Sequence, residues 1–184
     1  MVLQNSLDAL SRSGAILFPS DTVLGLGCDA TNQDAVEAIF LIKNRSQNKS
    51  LIALVADMEM LTTYVETIPE SVHEILKGNR SPTTIVYPKA KGIAPMAMAE
   101  DGSMAFRIPK NGFALDLVKS FGKPIIATSA NLSGEPIPEN ESQVDRRILE
   151  QVDYVVPLKS GKYPVTPSKI VKVTSDGEIK TVRP

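Results

Sequence analysis

The sequence predicts a single α/β domain built on a twisted, mixed sheet. Three observations carry that expectation. Short apolar runs bounded by turn-forming residues, such as Ala15-Ile16-Leu17-Phe18 ahead of Pro19, read as buried strands. Stretches with apolar residues at helical spacing, such as Val36, Ile39 and Phe40, read as amphipathic helices. The two patterns mix without strict strand–helix–strand alternation, which favours a mixed sheet over a parallel one. No repeat, low-complexity tract or long linker interrupts the 184 residues, so residues 1–184 are read as one domain with one core.

The elements follow in order. Leu3, Leu7 and Leu10 have the spacing of a short amphipathic helix. Residues 15–18 form the first strand, and the Gly- and Asp-rich stretch 20–30 is expected to be a loop. Asn32 caps a helix that turns Val36, Ile39, Phe40 and Ile42 inward and ends at Lys43 and Arg45. Residues 51–55 read as a strand, Asp57 caps a helix through Tyr64, and Pro69 opens another helix to Lys77. Strands are expected at 83–87 and 104–108, a helix at 113–121, and a short buried strand at 124–127 that runs into a Ser/Asn loop. Ser142 opens a helix to Leu149, and strands follow at 152–156 and 169–173. Asp176-Gly177 is a tight-turn signal, so residues 169–182 form a terminal hairpin.

Composition narrows the chemistry. Hydrophobic residues at 42% and charged residues at 22% describe an ordinary globular protein, and a net charge of −1 gives no overall footprint for nucleic acid. The single cysteine, Cys28, excludes an internal disulfide and a Cys-rich zinc site, and fits a reducing compartment. The single histidine, His73, falls in a predicted surface helix, so neither a Ser-His-Asp triad nor a His/Cys metal cluster is expected. No leader pattern or membrane-length apolar window is apparent, and a cytoplasmic location is the default.

Four places can carry chemistry. Lys43, Arg45 and Lys49 put three cations within seven residues, suited to gripping neighbouring phosphates. The simpler reading on spacing alone is a solvated helix end whose cations offset the dipole. Ser129 and Asn131 follow a buried strand, where small polar side chains face ligands in many α/β folds; an ordinary turn explains them equally well. Arg107 sits among Met104, Ala105, Phe106 and Ile108, so its guanidinium needs a partner: a protein carboxylate such as Asp101 or Glu100, or a substrate carboxylate. Residues 19–27, Pro-Ser-Asp-Thr-Val-Leu-Gly-Leu-Gly, offer hydroxyls and close backbone approach but lack the Gly-Lys-Ser/Thr ending of a P-loop.

Taken together, these segments resemble the YrdC/Sua5 family. Residues 19–27 are similar to its Pro-Thr-Asp-Thr-Val-Tyr-Gly-Leu-Gly signature, with Ser20 and Leu24 in place of Thr and Tyr. Lys43-Asn44-Arg45 matches its Lys-x-Arg motif, Phe106-Arg107-Ile108-Pro109 its Arg-Ile-Pro motif, and residues 128–134 its Ser-Ala-Asn-x-Ser-Gly motif. Pro167-Ser168 and Val182-Arg183-Pro184 resemble its closing segments. Leu54 stands where the family often has His, and Lys169 and Lys172 where it has Thr and Asp.

The resemblance implies an open twisted sheet with flanking helices and a concave basic cavity. It implies a nucleotidyltransferase, a threonylcarbamoyl-AMP synthase condensing L-threonine, bicarbonate or CO2 and ATP with release of pyrophosphate. The product would supply the threonylcarbamoyl-transferase machinery acting on tRNA adenosine 37. By motif, Lys43, Arg45, Lys49, Ser129, Asn131 and Arg183 would contact ATP, with Lys43 and Arg45 as the catalytic cations. Thr22, Arg107, Ala127 and Ser168 would line the threonine site, and Mg2+ would arrive with the nucleotide. Two alternatives stand beside this reading: a non-catalytic module binding double-stranded RNA or tRNA, and an ATP-dependent enzyme acting on another small amino or carboxy substrate.

Overall fold

The computed structural model describes residues 1–46, 51–78 and 81–184. The chain runs α1 (Val2–Ser11), β1 (Ile16–Pro19), β2 (Leu24–Gly27), α2 (Gln33–Ile42), β3 (Ile52–Leu54), α3 (Met58–Tyr64) and α4 (Glu70–Gly78). It continues with β4 (Thr83–Tyr87), β5 (Met104–Arg107), α5 (Phe113–Phe121), β6 (Ile125–Ile126), β7 (Thr128–Ser129), α6 (Arg146–Leu149), β8 (Tyr154–Val155), β9 (Lys169–Val173) and β10 (Ile179–Arg183). Single 3₁₀ turns lie at Pro95–Ala97 and Glu141–Gln143.

Two mixed sheets form where one was expected. The first has the order β7-β2-β1-β8, the second β10-β9-β4-β5-β3-β6. Parallel pairs (β1 with β8, β3 with β5, β4 with β9) sit beside antiparallel ones in both sheets.

Strand β1 lies between two apolar clusters and feeds both by its period of two. Leu17 joins the first, with Val36, Ile39 and Phe40 of α2, while Ile16 and Phe18 join the second, with Leu10 of α1 and Leu117 and Val118 of α5.

The caps explain several helix starts. Asn32 accepts a hydrogen bond from the Ala35 N–H, and Asp57 accepts one from the Met60 N–H. Helix α5 ends at Gly122, which adopts the left-handed conformation such an end requires. The terminal hairpin forms as expected, with β9 antiparallel to β10 and Gly177 at a positive φ of 88° in the turn.

Three expectations are corrected. Residues 20–30 are not all loop, because Leu24-Gly25-Leu26-Gly27 is a strand paired to both β1 and β7. Its leucines are wholly buried, while a Cβ on Gly25 would press on the Phe18 ring and one on Gly27 would lie 2.1 Å from the Ile126 carbonyl oxygen. Those glycines mark close approach within a strand. The stretch 124–127 does not simply lead into a loop, since the chain resumes as β7 in the other sheet. The expected helix at 142–149 is broken: Val144 is extended, and Asp145 accepts from the Arg147 N–H to start a separate single turn. Among the described residues, no helix is long and apolar enough to cross a membrane.

Candidate active site

The two sheets part around a cavity of about 380 Å³. Its position follows from residues 125–129. Strand β6 pairs with β3 in the six-stranded sheet, β7 pairs with β2 in the four-stranded sheet, and Ala127 is the residue between them. The Ala127 N–H donates to the Ile52 carbonyl at 2.9 Å, and the Ala130 N–H donates to the Leu24 carbonyl at 2.9 Å. The chain thus crosses from one sheet to the other along the cavity wall.

Seven of the residues singled out in the sequence line this one space: Thr22, Arg45, Arg107, Ala127, Ser129, Ser168 and Arg183. Three arginines and no acidic side chain border it among the described residues. Burial pulls the pKa values of Arg45 and Arg183 below the ordinary guanidinium value. Val23, Ile52, Val86, Ala105 and Ile170 supply apolar walls, so polar contacts made inside are partly shielded from water.

Each arginine comes from a different part of the fold. Arg45 follows the end of α2, in an Asn44 turn with a positive φ of 48°. Arg183 ends β10, beside a register shift between Thr181 and Arg183. Its Nε and Nη2 donate to the Ser168 carbonyl at 3.1 and 2.7 Å, which aims the guanidinium from the sheet edge.

Arg107 ends β5, and its partner differs from both protein candidates. The guanidinium forms an ion pair with Asp21, not with Asp101 or Glu100, and both side chains are buried at 5% and 6% exposure. Asp101 instead accepts from the Ser103 N–H and faces Lys172. The reason is topological: the loop after β1 lies over the end of β5, where Asp21 also accepts from the Lys110 N–H at 3.3 Å. Arg107 Nη2 donates to Thr22 Oγ1 at 3.3 Å. Ser20 shapes this loop, accepting from the N–H groups of Thr22 and Val23 and donating to the Val23 carbonyl at 2.7 Å.

Lys43 is not a solvated helix end. It is 2% exposed, and its ammonium donates to the Asn131 carbonyl at 2.6 Å and to the Ser129 carbonyl. Its own carbonyl accepts from the Ser133 N–H at 3.0 Å. One residue therefore pins the 129–133 segment to the end of α2. Burial, reinforced by Arg45, lowers the Lys43 pKa from 10.5 to about 8. Lys43 is not among the residues that line the cavity, and its ammonium is bonded to the loop that does.

Asn131 faces a neighbouring cavity formed with Leu132, Glu135 and Pro136–Pro138. Its amide nitrogen donates to the Leu132 and Glu135 carbonyls, the first at 3.2 Å and the second at 2.5 Å. Lys49 lies outside the described residues. Leu54 is wholly buried in the second apolar cluster and does not line the cavity.

Two features escaped the sequence reading. Asp21 as the Arg107 partner had a signal, being the one acid inside Pro19-Ser20-Asp21-Thr22. Ile137, which lines both cavities, had a weaker one, an apolar residue between Pro136 and Pro138.

The family model described as "Telomere recombination", covering Sua5, YciO and YrdC proteins, matches residues 8–184. The threonylcarbamoyl-AMP synthase of Methylococcus capsulatus is 32% identical over 180 residues, covering 97% of this chain and 96% of the relative. That of Vibrio cholerae is 33% identical over 165 residues, covering 88% of each. A crystal structure of P. abyssi Sua5 complexed with L-threonine superposes with a TM-score of 0.85 at 27% identity over 93% of this chain. The present chain spans 50% of that longer protein. E. coli YciO shares the fold, with a TM-score of 0.83 at 23% identity, over 99% of this chain and 87% of its own. The segments quoted from the sequence thus converge on one cavity in a fold these proteins share, and the chain belongs to the Sua5–YciO–YrdC family.

Proposed function

We propose that this chain is a threonylcarbamoyl-AMP synthase, a nucleotidyltransferase using L-threonine, bicarbonate or CO2, and MgATP. The observation that carries the reading is the cavity itself. Three arginines and the hydroxyls of Thr22, Ser129 and Ser168 border one partly apolar space of about 380 Å³. The names of the curated relatives, and the threonine bound to P. abyssi Sua5, supply the matching substrates.

The chemistry needs neutralisation and orientation more than a covalent nucleophile. The amine of threonine attacks CO2, loses a proton and becomes a carbamate. A carbamate oxygen then attacks the α-phosphorus of ATP in line, and the bond to the β-phosphate oxygen breaks to release pyrophosphate. Both reactants are anions, so they approach only where fixed cations offset their charge. Arg45, from the turn after α2, and Arg183, at the end of β10, both border the cavity and are placed for that task. Arg107 with Asp21 forms a neutral, rigid corner beside Thr22 for orienting the amino acid.

Magnesium enters as part of the nucleotide substrate. Its ligands in this reading are phosphate oxygens and water, as is usual for a nucleotide-bound Mg2+. Lys49 completes the proposed phosphate-binding set. The adenylate would pass to the machinery that modifies tRNA adenosine 37.

The test is pyrophosphate release by purified protein with MgATP and bicarbonate, with and without L-threonine. Threonine-dependent release, with threonylcarbamoyl-AMP identified by mass, is the expected result. Release that ignores threonine overturns the assignment.

A further inference from the structure

Ser168 lines the cavity, but its hydroxyl is tied to a residue that does not. Thr84, in β4, is wholly buried, and its Oγ1 lies 2.7 Å from Ser168 Oγ. The distance alone allows the bond to run either way. Both residues are buried, and position decides between them: Ser168 borders the cavity, where a second partner can enter, and Thr84 does not. A hydroxyl proton sealed from water needs an acceptor, and leaving it without one is costly. Among the described residues, Ser168 Oγ is the one hydrogen-bond partner of the Thr84 hydroxyl. Thr84 therefore donates, which leaves the Ser168 proton free to turn elsewhere. The Ser168 side borders the cavity.

The backbone keeps this pair in place. Strands β4 and β9 run parallel with Thr84 opposite Ile170, and the Lys169 N–H donates to the Pro82 carbonyl at 3.0 Å. The Ser168 carbonyl is held by the Arg183 guanidinium. An O–H donor and a guanidinium thus meet at one corner of the cavity.

We propose that Thr84 is a positioning residue. Its hydroxyl donates to Ser168 Oγ and so presents the Ser168 O–H, next to Arg183, to an anionic substrate oxygen. That oxygen belongs to a carboxylate or a phosphate, chemistries the experiment separates. The inference rests on the proposed function for its substrates, but the direction of the hydrogen bond does not.

The first measurement uses free protein. NMR of hydroxyl protons should find that of Thr84 slow to exchange and that of Ser168 exchanging with water. A protected Ser168 proton pointing at Thr84 would overturn the inference whatever the protein's substrates are.

The second measures binding of L-threonine and of MgATP by calorimetry. Thr84→Val removes the hydroxyl while keeping the shape. It should weaken one of the two ligands roughly three- to tenfold, the worth of one misdirected neutral hydrogen bond, and leave the other within about twofold. Loss confined to threonine assigns the oxygen to a carboxylate, and loss confined to ATP assigns it to a phosphate. Thr84→Ser should restore the wild-type value. In a Ser168→Ala background, Thr84→Val should have no further effect, because the path between them is already cut. Equal weakening of both ligands, a full effect in the Ser168→Ala background, or no effect at all sinks the positioning role. Wild-type protein that binds neither ligand would instead count against the proposed function.

Discussion

At the scale of single residues, the Arg107–Asp21 pair makes a clear demand. Both groups are buried, so removing either leaves the other charged and without its partner. Arg107→Ala should cost ~3–5 kcal/mol, and Asp21→Ala a similar amount. That corresponds to a fall of roughly 10 °C or more in melting temperature for a chain of this size. The double variant Arg107→Met with Asp21→Leu should recover much of the loss, because no lone charge remains. Calorimetric melting of the three proteins checks this, and additive losses would show that the pair does not act as a unit.

Lys43 makes a second demand, this one on pH. Its pKa is lowered to about 8, so its ammonium loses the proton above that point and with it the grip on the Ser129 and Asn131 carbonyls. Threonine-dependent pyrophosphate release should fall as pH rises through about 8, and Lys43→Arg should move that limb to higher pH. Stability has the opposite sign. Between about 8 and 10.5 the unfolded chain holds a Lys43 proton that the folded chain has released, so this group's contribution to stability rises across that window and is lost again as pH falls through about 8. A pH profile whose alkaline limb is the same in wild type and Lys43→Arg removes Lys43 as its cause.

At the scale of elements, the sequence made some features legible and hid others for identifiable reasons. Helix α2 was readable because its cap, its apolar spacing and its cationic end agree. Strand β2 was hidden because alternating Leu and Gly imitates a loop. What makes it a strand is tertiary: Gly27 lets β2 lie against the Ile126 carbonyl. Strand β7 was hidden because two residues carry no periodicity. Of the site, the cations and hydroxyls were legible from motif order. The Lys43 bonds to carbonyls 86 and 88 residues away were not, since nothing local in a sequence encodes them. Gly27→Ala should be among the most damaging small changes. Its methyl would meet the Ile126 carbonyl at 2.1 Å and Phe18 at 2.9 Å, forcing β2 from β6. Overpacking of this kind costs ~1–3 kcal/mol or more, measurable by denaturant titration. A stability unchanged within about 0.5 kcal/mol would show that the strands separate freely.

At the scale of the whole molecule, function depends on distant segments arriving at one place. Arg45, Arg107 and Arg183 span most of the chain, and no one secondary element holds two of them. Ligand binding should therefore stabilise the molecule globally. MgATP at about 100 times its dissociation constant should add ~2.7 kcal/mol. Arg45→Ala should weaken ATP roughly tenfold or more while leaving the shift produced by threonine in place. Thermal melting with each ligand checks both. An ATP shift unchanged in Arg45→Ala would place the phosphates elsewhere.

The crossing at Ala127 ties these observations together. A single residue joins the last strand of one hydrogen-bonded layer to the last strand of the other. The two layers therefore meet like facing pages at a spine: the chain crosses the gap within residues 125–129, and beside that crossing the Ile126 N–H donates to the Cys28 carbonyl just past β2. A ligand filling the cavity touches residues of both pages, Gly25 and Ser129 on one and Ile52 and Arg183 on the other, and so adds a second seam opposite the spine.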